Sequence, residues 1–515
     1  MYLNYHESLF TPSAMDAGGS SQYTSNLARG GACSNCRRRK IKCDGGRPIC
    51  NQCHTAAQLQ ETIASLKTRI NELERVSGQS GPQVLLQQPY SPGPSGAKRG
   101  SSSPEAMSRG PPTAAKLVDR FLSRFTNNGC FFLEPLQFYD SALARLPSGH
   151  PDRPSPALLS AIYLWGCVLC STPPSPPYTE DTFLRDALQS LPGDISRFNQ
   201  HPKLVLETIQ AEVLLSLYYL HAAIPVQGRY HATAAATLAL SAGLHKMRAP
   251  SSPMAPGFLL AAPLFPPALD MRGEAERIDA FWAVVTLNNF WVAAEGCPSA
   301  IPYGMAIDTP WPLSSQGGAT VTKFLNGDDQ EGRSPVALLT KASILLERII
   351  DSSARNNASP SDAAARYALE NRLHTFQSSL PNAMGSQPLV MAHALTDLAI
   401  VRFHAPLART SESARNKCLT AAHRAAAGLA SAKLAQPADP MLGPLYAALS
   451  AVYIHEMAAL RARAGGAQAR AQYQDLDARV GSLVGAMTAL APKSPVIQVC
   501  LASTRQAYGE LPYPR

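Results

Sequence analysis

Residues 33–53 read Cys33-Ser-Asn-Cys36-Arg-Arg-Arg-Lys-Ile-Lys-Cys43-Asp-Gly-Gly-Arg-Pro-Ile-Cys50-Asn-Gln-Cys53. The five cysteines follow the spacing C-x2-C-x6-C-x6-C-x2-C. Thiolates at such spacing are zinc ligands, because tight turns bring several sulfurs to one tetrahedral metal ion. The spacing therefore predicts a zinc-bound module over residues 31–54, in which the metal supplies the folding energy that so small a core lacks.

A basic run, Arg37-Arg38-Arg39-Lys40-Ile41-Lys42, lies between the second and third cysteines. Cations beside a metal module attract the phosphate backbone of DNA. We expect a short helix to begin after Cys36 and to carry this run on its surface. A nuclear localisation signal is the alternative interpretation, and one segment can serve both purposes. Because the basic run lies between cysteines of the zinc motif, we favour DNA contact.

The cysteine frame and the basic run together resemble the fungal Zn2Cys6 binuclear zinc cluster of transcription factors. The resemblance implies two zinc ions per chain that share two bridging cysteines, Cys33 and Cys50. One ion would be held by a complete set of four, Cys33, Cys36, Cys43 and Cys50. The resemblance also implies that Lys40, with Arg39, reads a CGG-type triplet in the major groove. The phosphate contacts that it implies are Arg37, Arg38, Lys42 and Arg47.

The chain departs from this family at the sixth cysteine. The second zinc ion would take Cys33, Cys50, Cys53 and a later cysteine, but Gln60, Glu61 and Thr62 fill the window where that cysteine is expected. We therefore expect one complete and one incomplete zinc site. His54 or Glu61 are the alternative fourth ligands. Loss of a short segment between Cys53 and Thr55, by splicing or by an error in the gene sequence, is the interpretation we favour.

The segment directly after the zinc module, residues 55–77, has the pattern of a coiled coil. Its apolar residues alternate at spacings of four and three: Leu59, Ile63, Leu66, Ile70 and Leu73. Isoleucine at a and leucine at d favour two parallel strands, so the pattern predicts a homodimer. A helix that packs on its own domain is the alternative. The resemblance favours the dimer, because the family places its dimer helix here.

The remaining chain divides by composition into disordered segments and a long helical region. Residues 1–30 and the Ser-, Gly- and Pro-rich residues 78–115 predict a disordered arm and linker. From 116 to 510 apolar residues recur at helical spacing, as at Leu117, Phe121 and Phe125. No stretch alternates like a strand. The predicted fold class is therefore mostly α, with helix breaks at residues 173–177, 250–267 and 313–333.

Three stretches of the helical region resemble the middle homology region of fungal transcription factors, an all-helical regulatory domain. The first runs from Gly228-Arg229-Tyr230-His231 to a Gly-Leu-His turn at residues 243–245. The second pairs an Arg…Trp helix, residues 276–282, with a Gly-x-Pro-x-x-Ile exit at residues 296–301. The third is a His-x-Pro helix end at residues 403–407.

Other residues that could carry chemistry are better explained as structure. Cys167 and Cys170 form a second C-x2-C in an apolar stretch, which predicts buried thiols. The aromatic residues near 281–291 predict core packing. If the helical region binds an effector, these residues are the first place to look for its binding site. No GxSxG, P-loop or GxGxxG is present, so an enzyme is not predicted. Core or surface roles are expected for the helical histidines, which lack i,i+4 partners: His231, His245, His393, His404 and His455.

Composition agrees with a protein of a reducing compartment. Of 515 residues, 45% are hydrophobic and 16% charged, the net charge is +9, and the 11 cysteines suggest no disulfide framework. No apolar run reaches the roughly 20 residues of a membrane-spanning helix.

The sequence predicts a nuclear, sequence-specific transcription factor for RNA polymerase II genes, with double-stranded DNA, a second copy and co-regulators as partners and no membrane. The alternative is a helical interaction protein that cannot bind DNA, because its cluster lacks one cysteine.

Overall fold

The structure is a computed structural model, and it divides the chain into a small unit, residues 12–102, and a larger unit, residues 103–515 with 1–11. It describes residues 33–38, 43, 50, 53, 112–170, 178–198, 201–248, 270–314, 317–329, 331–354, 360–383, 385–432, 438–462 and 466–511. The predicted coiled coil lies outside the described residues. So do the predicted DNA contacts Arg39, Lys40, Lys42 and Arg47.

The small unit contains one described helix, α1 (Ser34–Arg38), and a core made of cysteine side chains. Cys36, Cys43 and Cys50 are buried, and Cys33 and Cys53 pack against them. Three thiols bury too little apolar surface to hold a fold together, so a core of this kind needs a metal.

Helices make up most of the described part of the larger unit. They are α2 (Pro112–Phe125), α3 (Pro135–Leu143), α4 (Pro156–Val168), α5 (Glu180–Ser196), α6 (Lys203–His221), α7 (Pro225–Ser241), α8 (Met271–Glu295), α9 (Thr320–Asn326), α10 (Pro335–Ala354), α11 (Pro360–Ser379), α12 (Gln387–His404), α13 (Glu412–Ser431), α14 (Leu442–Ala462), α15 (Ala467–Leu490) and α16 (Pro495–Gly509). None of the described residues forms a strand, which confirms the predicted fold class. No described helix has the length and apolar character needed to cross a membrane.

The helices pack as a connected series around one core. Helix α6 packs against α4, α5, α7 and α8, and every residue from Leu204 to His221 is buried. A helix that is buried on all sides belongs at the centre of a large core. Helix α8 then contacts α10, α10 contacts α12, and α12 contacts α13. The last three helices, α14 to α16, pack against one another.

Local sequence signals set several helix ends. Helix α8 begins where the Asp270 side chain accepts a hydrogen bond from the Gly273 backbone N–H at 2.8 Å. It ends at Gly296, whose φ of 67° lies in the left-handed region that favours glycine. The predicted Gly-Leu-His turn has the same basis, since Gly243 has a φ of 73° before the 3₁₀ turn Leu244–Lys246.

One helix forms inside a segment that the sequence predicted as a break. Helix α9, Thr320–Asn326, lies within residues 313–333. Its Phe324 is fully buried, with ring centroids 5.8 Å from Trp311 and 5.6 Å from Phe376. Its buried apolar side chains are Val321 and Phe324, and seven residues are too few to show a helical period in the sequence. The predicted core aromatics of α8 are buried: Phe281, Trp282, Phe290 and Trp291.

Candidate metal centre and DNA interface

Four cysteine sulfurs of the small unit are close enough to share one metal ion. The Sγ atoms of Cys33, Cys36, Cys43 and Cys50 all lie within 4.8 Å of one another. The Cys50 sulfur is 3.6 Å from that of Cys33 and 3.6 Å from that of Cys36. A tetrahedral ion with Zn–S bonds of about 2.3 Å places its sulfurs about 3.8 Å apart. The spacing of these four thiols therefore fits a zinc ion.

The fifth cysteine joins the same cluster. The Cys53 sulfur is 3.6 Å from the Cys33 sulfur and 3.8 Å from the Cys36 sulfur. A backbone hydrogen bond of 3.0 Å from the Cys53 N–H to the Cys50 carbonyl forms the turn that brings it there. All five predicted metal ligands are thus brought together.

The Cys33 thiol occupies the capping position of helix α1. The Cys36 backbone N–H donates to the Cys33 sulfur at 3.4 Å, and the Arg37 N–H donates to the Cys33 carbonyl at 3.0 Å. The hydrogen bond from Cys36 is the main reason why the pKa of Cys33 is lowered to about 6. Because the thiolate is the metal-binding form, this geometry prepares Cys33 as a ligand. The cap also explains why the helix begins at Ser34, before the predicted start after Cys36.

Two of the predicted phosphate contacts are described, and both are close to the cysteines. Arg37 and Arg38 form the last turn of α1 and are exposed. They follow Cys36 directly, so two cations lie on the surface of the module whose interior holds the thiols. This is the charge distribution that a DNA backbone attracts.

Residues 31–58 match the model of the fungal Zn(2)-Cys(6) binuclear cluster domain. The match and the thiol geometry define the class of the small unit, a zinc-cluster DNA-binding module. They support a fungal DNA-binding transcription factor rather than an enzyme. No curated protein shows significant similarity to this chain.

Of the two thiols of the second C-x2-C motif, which were predicted to be buried, Cys167 is buried and Cys170 is half-buried. Cys167 is buried in α4, its sulfur lies 3.9 Å from the Tyr178 carbonyl, and burial raises its pKa to about 12. The Cys170 thiol donates to the Gly166 carbonyl at 3.1 Å, just beyond the end of the helix. Neither thiol joins the clusters of metal-binding side chains found among the described residues.

Sequence reasoning missed one cluster of ligand-type side chains in the larger unit. Glu370 and His374 stand one turn apart on α11, and His404 ends α12 beside them. The i,i+4 pairing of Glu370 with His374 was the available signal. The third member is distant in sequence, and no periodicity could link it to the pair.

Proposed function

We propose that this protein is a nuclear, sequence-specific transcription factor for RNA polymerase II genes, and that its zinc cluster reads a CGG-type triplet. The observation that carries the proposal is the convergence of five cysteine sulfurs beside the exposed Arg37 and Arg38. Zinc at these thiols would fold the module and thereby fix the basic segment in one orientation.

The residues of the basic segment have two roles: some recognise the base sequence, and others position the module on the DNA backbone. Lys40, with Arg39, reads guanine in the major groove, because guanine presents two acceptors, O6 and N7, to cationic donors. Phosphate contacts orient the module on the duplex and carry no sequence information. We assign that role to Arg37, Arg38, Lys42 and Arg47.

Zinc stoichiometry is a separate part of the proposal. Cys33, Cys36, Cys43 and Cys50 hold one ion, and Cys33, Cys50 and Cys53 supply three thiolates to a second, incomplete site. The residues Leu59 to Leu73 pair two chains as a parallel coiled coil. The larger helical unit acts as the regulatory domain, of the middle homology type, and receives co-regulators.

Two substitutions in the full-length protein test the division of roles. Lys40→Ala should weaken binding to a CGG-containing duplex by about 1–3 kcal/mol and flatten the preference at one base pair. Arg37→Ala should weaken binding to every sequence and lower the salt slope by about one. Fluorescence anisotropy on specific and scrambled duplexes at several salt concentrations measures both. An equal loss on all duplexes for Lys40→Ala would contradict its role as a base reader.

The missing sixth cysteine favours a second candidate, an interaction protein that cannot bind DNA. In that case the helical unit acts as a cofactor or as a dominant-negative partner through the coiled coil. Zinc released from the full-length protein by a mercurial thiol reagent counts the cysteine-bound ions. One or two released ions with a preference for CGG-type DNA support the transcription factor. No released zinc, with no preference among duplexes, supports the second candidate.

A further inference from the structure

Three ligand-type side chains converge where α11 meets the C-terminal end of α12. Glu370 Oε1 lies 3.9 Å from His374 Nε2 and 3.5 Å from His404 Nε2. The three ligand atoms all lie within 4.8 Å of one another. Glu370 and His374 share one face of α11 at i,i+4 spacing, which brings side chains of one helix to a common point.

The imidazole of His404 provides a second, independent observation. Its side chain is 5% exposed, and its Nε2 atom is buried with no hydrogen-bond partner. Buried ring nitrogens almost always have a partner, so this one needs an explanation. The nitrogen lies 3.5 Å from the Glu370 carboxylate oxygen, and the two atoms form no hydrogen bond.

We propose that Glu370, His374 and His404 form a binding site for a divalent transition-metal ion of the zinc type. Two imidazoles and one carboxylate are a ligand set that zinc accepts, with a fourth position left for water. Bonds of about 2.0–2.1 Å place tetrahedral ligand atoms about 3.4 Å apart. The 3.5 Å separation from His404 already fits. The His374 side chain is 41% exposed, so it can rotate to bring its Nε2 atom closer to the ion.

The ion would join two helices that otherwise have few contacts. Helix α11 packs against α9, α10 and α12 less extensively than α10 packs on α12, and its Glu370 also contacts Lys417 of α13. A metal that bridges His374 to His404 would hold α11 against the core. The ion would therefore stabilise the position of α11, and this structural role is independent of the proposed DNA-binding function.

Lys417 competes with the metal for the same carboxylate oxygen. Its Nζ atom, on α13, lies 2.8 Å from Glu370 Oε1, and its side chain is 43% exposed. An exposed ion pair of this kind contributes little, and the flexible lysine can move to the other carboxylate oxygen or to solvent. Removal of the lysine should therefore strengthen metal binding, whereas a merely structural ion pair would give no such gain.

Zinc binding to the full-length protein tests the site. Equilibrium dialysis against buffered zinc counts the bound ions, and the cysteines contribute equally in every variant. The wild type should hold one more zinc ion than His374→Ala or Glu370→Gln. His150→Ala is the matched control, because His150 is a half-exposed histidine with one carboxylate neighbour, Asp152, at 3.7 Å, and it should bind as the wild type does. Lys417→Gln should bind the additional ion several-fold more tightly.

Thermal unfolding gives a second readout. Zinc should raise the unfolding temperature of the wild type and of Lys417→Gln by more than it raises that of His374→Ala. Circular dichroism shows whether each variant keeps its helices, and Glu370→Gln replaces His374→Ala if the latter does not. Equal zinc counts in the wild type and in a folded His374→Ala or Glu370→Gln would overturn the proposal.

Discussion

Gly166 lies where α4 closely approaches the backbone of α2. A Cβ atom at this position would lie 2.7 Å from the Leu117 carbonyl oxygen and 2.9 Å from its Cα atom. Backbone atoms cannot rotate away as a side chain can, so the two helices would have to separate. We expect Gly166→Ala to lower the free energy of unfolding by about 1–3 kcal/mol, as overpacking of a core does. Urea denaturation followed by circular dichroism measures the change.

Gly193, on the exposed surface of α5, is the matched control for this substitution. A Cβ atom there would have no neighbour within 4 Å. Because alanine favours a helix over glycine, Gly193→Ala should raise the free energy of unfolding by up to about 1 kcal/mol. If the free energy of unfolding falls for Gly166→Ala and rises for Gly193→Ala, close packing at Gly166 is the cause of the loss. A loss of similar size at both would contradict it.

His221 should make the stability of the larger unit sensitive to acid. It is 7% exposed, its Nδ1 atom is buried without a hydrogen-bond partner, and burial lowers its pKa to about 4. The unfolded chain binds a proton near pH 6.5, whereas the folded chain resists it. The stability that the neutral ring contributes is therefore fully present above about pH 6.5 and is lost as the pH falls through 4. The free energy of unfolding decreases by about 3 kcal/mol over this range.

His221→Gln isolates this contribution from the other titrating groups. The variant lacks the ring that must stay neutral, so its stability relative to the wild type should improve as the pH falls from 7 to 4. Urea unfolding of both proteins at several pH values gives the difference. A difference that stays constant over this range would rule out His221 as the acid-sensitive group.

At the scale of elements, long periodic helices could be predicted, whereas the short helix α9 could not. Leu117, Phe121 and Phe125 fall on one buried face of α2, because regular burial leaves a regular trace in the sequence. Helix α9 depends on the burial of Phe324, and its seven residues are too few to show a period. The cysteine cluster was visible because its ligands share a short segment. Glu370 and His404 are brought together by the packing of two helices, which spacing alone does not encode.

The proposed coiled coil over residues 55–77 leads to a prediction about association. The heptad pattern of the sequence assigns Leu66 to a d position at the middle of the apolar seam and Thr68 to the outward f position two residues later. Leu66→Lys should convert the dimer to a monomer, because it places a charge in the seam of each chain. Thr68→Lys adds the same charge outside the seam and should leave the dimer intact. Sedimentation equilibrium distinguishes them, and a monomeric wild type would contradict the dimer.

At the scale of the whole molecule, the two units are stabilised in different ways. The larger unit has one extended core of apolar side chains, to which α2 through α16 contribute. The core of the small unit is made of thiols, and it contains none of the residues of the larger core. Apolar burial is the main source of stability of the larger unit, whereas we expect the small unit to depend on metal coordination.

This difference predicts that one substitution can abolish DNA binding without affecting the larger unit. Cys36 is 1% exposed at the centre of the thiol cluster, so Cys36→Ser should remove a zinc ligand and leave the small unit unfolded. Binding to a CGG-type duplex should fall to the non-specific level, roughly 10³-fold weaker or more. The thermal unfolding of the helical unit should stay unchanged. Cys297→Ser, at a half-buried thiol of the larger unit, should retain full binding. A lower unfolding temperature of the helices in Cys36→Ser would contradict this prediction, because the stability of the larger unit would then depend on the small unit.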